Sequence, residues 1–236
     1  MPSPLVRRRI GDRDVAVWVT SRTDESVHPG RVDACELATR QRAATGATWV
    51  MVDQVHGVDV FEAGAAPDTG ARRPIADIVM TQRRDLPIAV WAADCAPLVL
   101  AGDTTTLVAV HGGWRGRAAG VLDRAVGVFA QRGEDVAMAV LGPVIHPCCY
   151  EFGVVELRDV AAGIGVEAHL ATARTRDGRT ALDVPAAVRA GLARHGIELE
   201  HLGACTGCDD RWYSHRARGD LGRHAVVIEQ REVSAA

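Results

Sequence analysis

Residues 14–21 (DVAVWVTS) place Val at every second position, 15, 17 and 19, the two-residue period of a strand. The period changes at residue 30. GRVDACELATRQRAATG gathers Ala and Leu on one side and stops at Gly46, which predicts a helix. TWVMVDQVHGVDVFEAG then predicts a strand, a tight turn at His56-Gly57 and a second strand, and residues 67–74 predict a polar loop. Four short apolar runs follow, at residues 78–80, 88–92, 97–101 and 106–110. Their length and their Val and Ile content predict strands covered on both faces.

Val121, Leu122, Ala125, Val126 and Phe129 recur at helical spacing and predict a helix over residues 116–130. Residues 136–141 predict another strand. In the second half, residues 153–163 and 183–195 predict helices, the latter capped by Asp183 with Pro185 in its first turn. Asp177-Gly178-Arg179 reads as a loop, CTGCDDRWYSHRARGDLG as a longer one, and residues 224–230 as a closing strand. Strands and helices interleave without repeat or linker. The expected fold is mixed α/β (α+β), with central mixed β-sheets flanked by helices, and a single domain over residues 1–236.

Composition narrows the chemistry. With 236 residues and 47% hydrophobic content, a large core can be buried. The formal net charge is −3 with acids and bases interspersed, so no basic stripe invites nucleic acid. No apolar run is long enough for a bilayer, and the basic N-terminus lacks the apolar stretch of a secretory leader. A cytoplasmic chain acting on small molecules, without membrane or nucleic acid, is expected. All 27 Lys+Arg positions are Arg, and Asn is absent. That excludes a Lys Schiff base, a P-loop lysine, a Cys-His-Asn triad and N-glycosylation. A phosphate would have to be held by Arg, His or backbone N–H groups. The six cysteines, Cys35, Cys95, Cys148, Cys149, Cys205 and Cys208, fit a reduced protein in which some thiols serve as ligands or nucleophiles.

Three residues fall where an apolar run meets a turn: His56 before Gly57, Cys95 before Ala96-Pro97, and His111 before Gly112-Gly113. Strand ends hold side chains accurately at a sheet margin. Two imidazoles and a thiolate suit zinc or copper, and three protein ligands leave a fourth position open, as catalytic sites do. On spacing alone, a buried thiol and two ordinary surface histidines would look the same. Gly112-Gly113-Trp114-Arg115-Gly116 offers close backbone approach and an Arg for an anion, or only a glycine turn before a helix. Cys148-Cys149 places one thiol near chemistry or two in the core. Cys205-Thr206-Gly207-Cys208 is a redox pair, half a zinc site or plain structure. The lack of a second Cys-x-x-Cys argues against a four-cysteine zinc. Trp212 to Arg216, with Arg223, supplies aromatic and cationic groups for a nucleobase, sugar or phosphate, or a polar loop.

QVHG, ADCAPL, HGGWRG, GPVIHPCCYE, CTGC and SHRARGDLGR occur in an order that resembles the YfiH-like, or laccase-domain, family over residues 47–229. The resemblance implies mixed β-sheets flanked by helices and a metal at His56, Cys95 and His111. It implies a zinc-dependent purine nucleoside phosphorylase that cleaves adenosine, inosine or methylthioadenosine with phosphate and also deaminates adenosine. It further suggests that Arg115 and Cys149 line the site. From the chemistry of the residues themselves, Asp94, Cys149 and Glu151 are candidates for the general acid, Arg115 and Arg216 for orienting phosphate, and Gln54, Trp114, Ser214 and Arg216 for contacting substrate. Members have also been called copper polyphenol oxidases. A copper oxidase, a non-enzymatic metal-binding regulatory module and a metal-free cysteine hydrolase are the alternatives. Nine scattered histidines with no His-x-His pair argue against a multicopper cluster. The chain departs from the family pattern in residues 22–42, at Gly112 where Ala is usual, and at Ser214-His215-Arg216-Ala217, which has one Arg fewer. Altered substrate preference and weaker anion binding are the expected consequences.

Overall fold

A computed structural model describes residues 3–64 and 72–233. The loop expected over residues 67–74 lies largely outside them. In chain order the elements are β1 (Val6–Ile10), β2 (Arg13–Val19), α1 (Ala34–Thr45), β3 (Val60–Glu62), β4 (Ile78–Thr81), β5 (Ile88–Ala92), β6 (Ala96–Gly102), β7 (Leu107–Gly112), α2 (Trp114–Ala118) and α3 (Val121–Ala130). There follow β8 (Val136–Leu141), α4 (Val154–Gly163), β9 (Thr172–Arg174), β10 (Thr180–Leu182), α5 (Val184–Ala193), β11 (Glu200–His201), α6 (His215–Arg218) and β12 (His224–Glu232).

Alternation along the apolar runs builds two cores at once. Ile78, Met80, Leu98, Leu100, Val108 and Val110 point to one side of a sheet ordered β11-β8-β6-β7-β4-β3, where Leu122 and Phe129 of α3, Val160 of α4 and Val188 of α5 cover them. Their neighbours Val79, Val99, Ala109 and Val140 point to the other side. There they meet Val15, Val17, Ile88, Val90, Val226 and Ile228 of a second sheet, ordered β1-β2-β12-β5. The outer face of that sheet, through Ala89, Ala225 and Val227, packs on Leu37 and Ala44 of α1 together with Trp49 and Met51. The layers are therefore helix, sheet, sheet, helices. Each fully covered Val, Leu or Ile contributes roughly 1.5–3 kcal/mol.

The runs are covered on both faces as expected. The cause is the stacking of sheets; their pairing is mostly antiparallel, as in β6 with β7 and β8, with parallel pairs only at the margins, β3 with β4 and β11 with β8. Other expectations need correction. The helix over residues 116–130 is two helices, broken at Gly120, whose φ of 87° turns the chain. The first expected strand of residues 48–64 forms only the isolated bridges Val50↔Ile88 and Asp53↔Ile75. β1 escaped the pattern because three exposed Arg lie between its buried ends. Asp177-Gly178-Arg179 is the tip of the β9–β10 hairpin, and the long loop near the C-terminus contains α6, capped by Ser214. No helix among the described residues is long and apolar enough to cross a membrane.

Arg13 of β2 is 0% exposed and joins the two sheets. Its guanidinium donates to Gln230 Oε1 on β12 and to the Gly102 carbonyl at the end of β6. Arg13→Ala leaves both acceptors dry and is expected to lower stability by about 3 kcal/mol, read as a reduced denaturation midpoint. A midpoint unchanged from wild type would contradict this bridging role.

Candidate metal centre

One carboxylate organises the site. Asp77 immediately precedes β4 and is fully buried. Its Oδ1 accepts from His56 N at 2.9 Å and from His111 Nδ1 at 2.7 Å. Its Oδ2 accepts from Val55 N at 3.1 Å and Gly57 N at 2.6 Å. These donors hold the Asp77 carboxyl below its usual range although burial opposes them, the His111 bond leading. Backbone pairing sets the distance, since His111 N donates to the Asp77 carbonyl at 2.8 Å. The turn at residues 55–57 is therefore folded around Asp77. That explains how His56 holds a positive φ of 65°, a conformation that costs a non-glycine residue about 1 kcal/mol or more.

With Nδ1 of His111 spent on Asp77, its Nε2 faces Cys95 and His56. The donor atoms of His56, Cys95 and His111 lie within 4.8 Å of one another, and Cys95 Sγ is 3.7 Å from His56 Nε2. Sequence placed these three at strand ends, and the fold gathers them. Burial disfavours the thiolate, but the charge and hydrogen bond of His111, and then of His56, bring Cys95 down to about 5. Burial likewise opposes charge on His111, yet Cys95 and Asp77 raise it to about 9. A soft thiolate, two imidazole nitrogens and a carboxylate behind one of them fit a transition-metal ion with an open position.

Between those two values the metal-free site holds thiolate and imidazolium. A metal must then displace one proton, from His111, so acid competes with it. Metal affinity is expected to rise about tenfold per pH unit from about 5 to about 9. Chelator competition at several pH values in that window measures the slope, and a flat profile would contradict it.

The glycines after His111 serve packing. A Cβ on Gly113 would fall 2.2 Å from His56 Cδ2, and one on Gly116 would fall 2.9 Å from the Gly57 carbonyl oxygen. The loop can therefore close over the His56 turn only without side chains there. Trp91 of β5 stacks near-parallel on His111, with centroids 6.3 Å apart, and contacts His28 on 4.7 Å centroids. Sequence reasoning passed over both Asp77 and Trp91.

Several residues expected at the site have other engagements. Gln54 pairs both amide ends with the Trp91 backbone, donating to its carbonyl at 2.8 Å and accepting from its N–H at 3.0 Å. Ser214 caps α6 and donates to Asp94 at 2.7 Å. Asp94, expected as a general acid, also accepts from Thr206 Oγ1 and Arg216 N, both at 2.6 Å. Three donors on a buried carboxylate suit an anchor for the loop leading into Cys95 better than a proton shuttle. Trp114 packs edge-on against Phe152, and exposed Arg115 lies over the Trp114 ring. Arg216 lies over Tyr150 and donates to the Glu151 carbonyl. Cys149 does not join the His56 group. It clusters with Cys148, Cys205 and Cys208, a four-thiol group assembled without a second Cys-x-x-Cys. The cations acting on the metal ligands are others. Arg223 bears electrostatically on Cys95 and Asp94 and opposes Arg31. Burial, with Arg223 and Arg31 adding, keeps His28 below its ordinary value.

Over residues 24–231 the chain matches the family model described as multi-copper polyphenol oxidoreductase laccase. It is 37% identical over 185 residues to a purine nucleoside phosphorylase of Xylella fastidiosa, covering 74% of this chain and 69% of that protein. It is 31% identical over 200 residues to purine nucleoside phosphorylase YlmD of Geobacillus stearothermophilus, covering 78% and 73%. The solved structure of the hypothetical protein YfiH from Bacillus licheniformis superposes with a TM-score of 0.79 at 25% identity, covering 91% of this chain and 92% of that one.

Proposed function

This chain belongs to the multi-copper polyphenol oxidoreductase laccase family, and we propose that it is a zinc-dependent purine nucleoside phosphorylase with adenosine deamination as a second activity. The single observation that carries this reading is the open His56–Cys95–His111 donor set backed by Asp77. Relatives named purine nucleoside phosphorylase give the reaction class. His56, Cys95 and His111 would hold the ion. When bound, it supplies a Lewis acid that stabilises developing negative charge or activates water. Phosphorolysis moves no electrons, so zinc suits it better than copper. The described site also gathers only two histidines, few for a multicopper oxidase.

The chain's own residues do the rest. Asp77 fixes the His111 tautomer and the His56 backbone. Arg223, on which the charges of Cys95 and Asp94 act and whose guanidinium the Asp220 and Gly222 carbonyls hold in place, takes the phosphate anion. Arg115 and Arg216, expected from their chemistry to orient phosphate, already rest on aromatic rings and play a supporting part. Trp91 and His28 wall the site beside His111 and exclude water from one side. The described residues act as one domain. A reducing cytoplasm is supported by six unpaired cysteines among the described residues.

The test is product identification with metal-loaded protein. Adenosine with phosphate is expected to give adenine and ribose 1-phosphate, and omitting phosphate should abolish both. Inosine and ammonia report the deamination arm. If nucleosides stay intact while copper-loaded protein oxidises phenols, the reading fails.

A further inference from the structure

A second set of metal-ligating side chains lies apart from the His56 group. Cys148 and Cys149 sit on a single 3-10 turn after β8, and Cys205 and Cys208 sit on the turn after β11. Parallel pairing of β8 with β11 and the bridge Val144↔Cys205 bring the two turns together. All four sulfurs lie within 4.8 Å of one another. Cys148 is 3.8 Å from Cys149 and 3.5 Å from Cys208, and Cys149 is 3.3 Å from Cys208. Zinc–sulfur bonds of about 2.3 Å place the sulfurs of a tetrahedron about 3.8 Å apart, close to this spacing. A multi-iron cluster would need the thiols further apart.

Hydrogen-bond donors reach two of the four sulfurs. His146 N–H donates to Cys205 Sγ at 3.2 Å, and the Arg176 guanidinium donates to Cys208 Sγ at 3.0 Å. The N–H groups of Cys208 and Asp209 both turn back to the Cys205 carbonyl at 3.0 Å, which folds Cys-x-x-Cys into a knuckle. Gly207 lets that knuckle meet the adjacent pair, because a Cβ there would fall 2.9 Å from Cys149 Cβ and 3.0 Å from its sulfur. None of the four is disulfide-bonded.

We propose that Cys148, Cys149, Cys205 and Cys208 bind a second metal ion, a structural zinc in a closed four-thiolate site. Four thiols release their protons to solvent on binding, and Arg176 with the backbone donors offsets part of the net negative charge that remains. Four protein ligands leave no open position, so this ion performs no chemistry. It joins the exit of β8 to the segment that leads into α6. Thr206, inside the knuckle, donates to Asp94, the neighbour of Cys95. The second ion thus braces the catalytic ligand from behind. An adjacent Cys-Cys pair completes what a second Cys-x-x-Cys would otherwise supply.

The experiment counts metal per chain by native mass spectrometry on reduced, zinc-equilibrated full-length protein. Two zinc ions are expected in wild type and one in Cys208→Ser. Cobalt substitution of wild type should give the intense sulfur-to-metal absorption of several thiolates, and Cys208→Ser should lose most of it. A measurement needing no variant is thiol alkylation, with exposed Cys35 as internal control. Cys148, Cys149, Cys205 and Cys208 should alkylate far more slowly than Cys35 until a chelator is added. A zinc count that Cys208→Ser leaves unchanged, or four thiols that label as fast as Cys35, would overturn the proposal, as would a disulfide among them in the reduced preparation. Because Cys208→Ser and thiol labelling read this site without an activity readout, failure here leaves the phosphorylase reading intact, and an empty His56 group would lower the wild-type count without abolishing the loss of one zinc in Cys208→Ser.

Discussion

Asp77→Asn is expected to weaken metal binding at the His56–Cys95–His111 group by about ten- to a hundredfold, with a matching fall in metal-dependent activity at limiting metal. The substitution preserves shape and removes charge. It also replaces one acceptor oxygen by an NH2 group, and both oxygens are in use. Oδ1 serves His56 N and His111 Nδ1, and Oδ2 serves Val55 N and Gly57 N. Either orientation sets two donors against the new NH2. His111 loses the partner that fixes its tautomer, or the left-handed turn at His56 loses its restraint. The cost to stability is about 3 kcal/mol, because the donors are buried with no water to turn to. Chelator competition gives the first quantity and denaturant unfolding the second. Wild-type metal affinity in Asp77→Asn would show that this carboxylate does not organise the site.

Gly113→Ala is expected to empty the same group while leaving the fold largely intact. The backbone at Gly113 has φ −62° and ψ 158°, which any residue adopts, so the requirement for glycine is steric alone. The added methyl carbon would sit 2.2 Å from the His56 ring. The ring is the easier partner to displace, since it ends a half-exposed loop, and its displacement removes one of three ligands. More than a tenfold loss of metal affinity and of activity should accompany a small change in unfolding midpoint. Gly112→Ala is the control. Its Cβ meets the Ala96 carbonyl oxygen at 3.0 Å, a contact that a small backbone shift relieves. Equal effects from the two substitutions would refute the steric account.

The sequence made the ligands legible because apolar runs end where the chain must turn, and chemistry-bearing side chains at such ends are anomalies in a Val-rich pattern. The layered fold was readable for the same reason, although stacked sheets and parallel sheets produce the same apolar run. Asp77 was not legible. It looks like any polar residue before a strand, and its importance depends on β4 pairing with β7 so that it stands beside His111. Trp91 hides inside β5 for a similar reason. Gln54 and Ser214, expected to contact substrate, also hold their loops: Gln54 pairs with the Trp91 backbone, and Ser214 joins Asp94 to the first turn of α6. The cysteine cluster was missed because Cys149 and Cys205 are far apart in the chain, and only the parallel pairing of β8 with β11 brings them together.

The central claim is that His56, Cys95 and His111 hold the metal on which nucleoside cleavage depends. It is tested most directly by measuring bound metal and phosphate-dependent adenosine cleavage together in wild type and Cys95→Ala. The account predicts that Cys95→Ala loses one metal ion per chain and the release of ribose 1-phosphate, while still folding. A Cys95→Ala protein that keeps its full metal content and cleaves adenosine at the wild-type rate would contradict it.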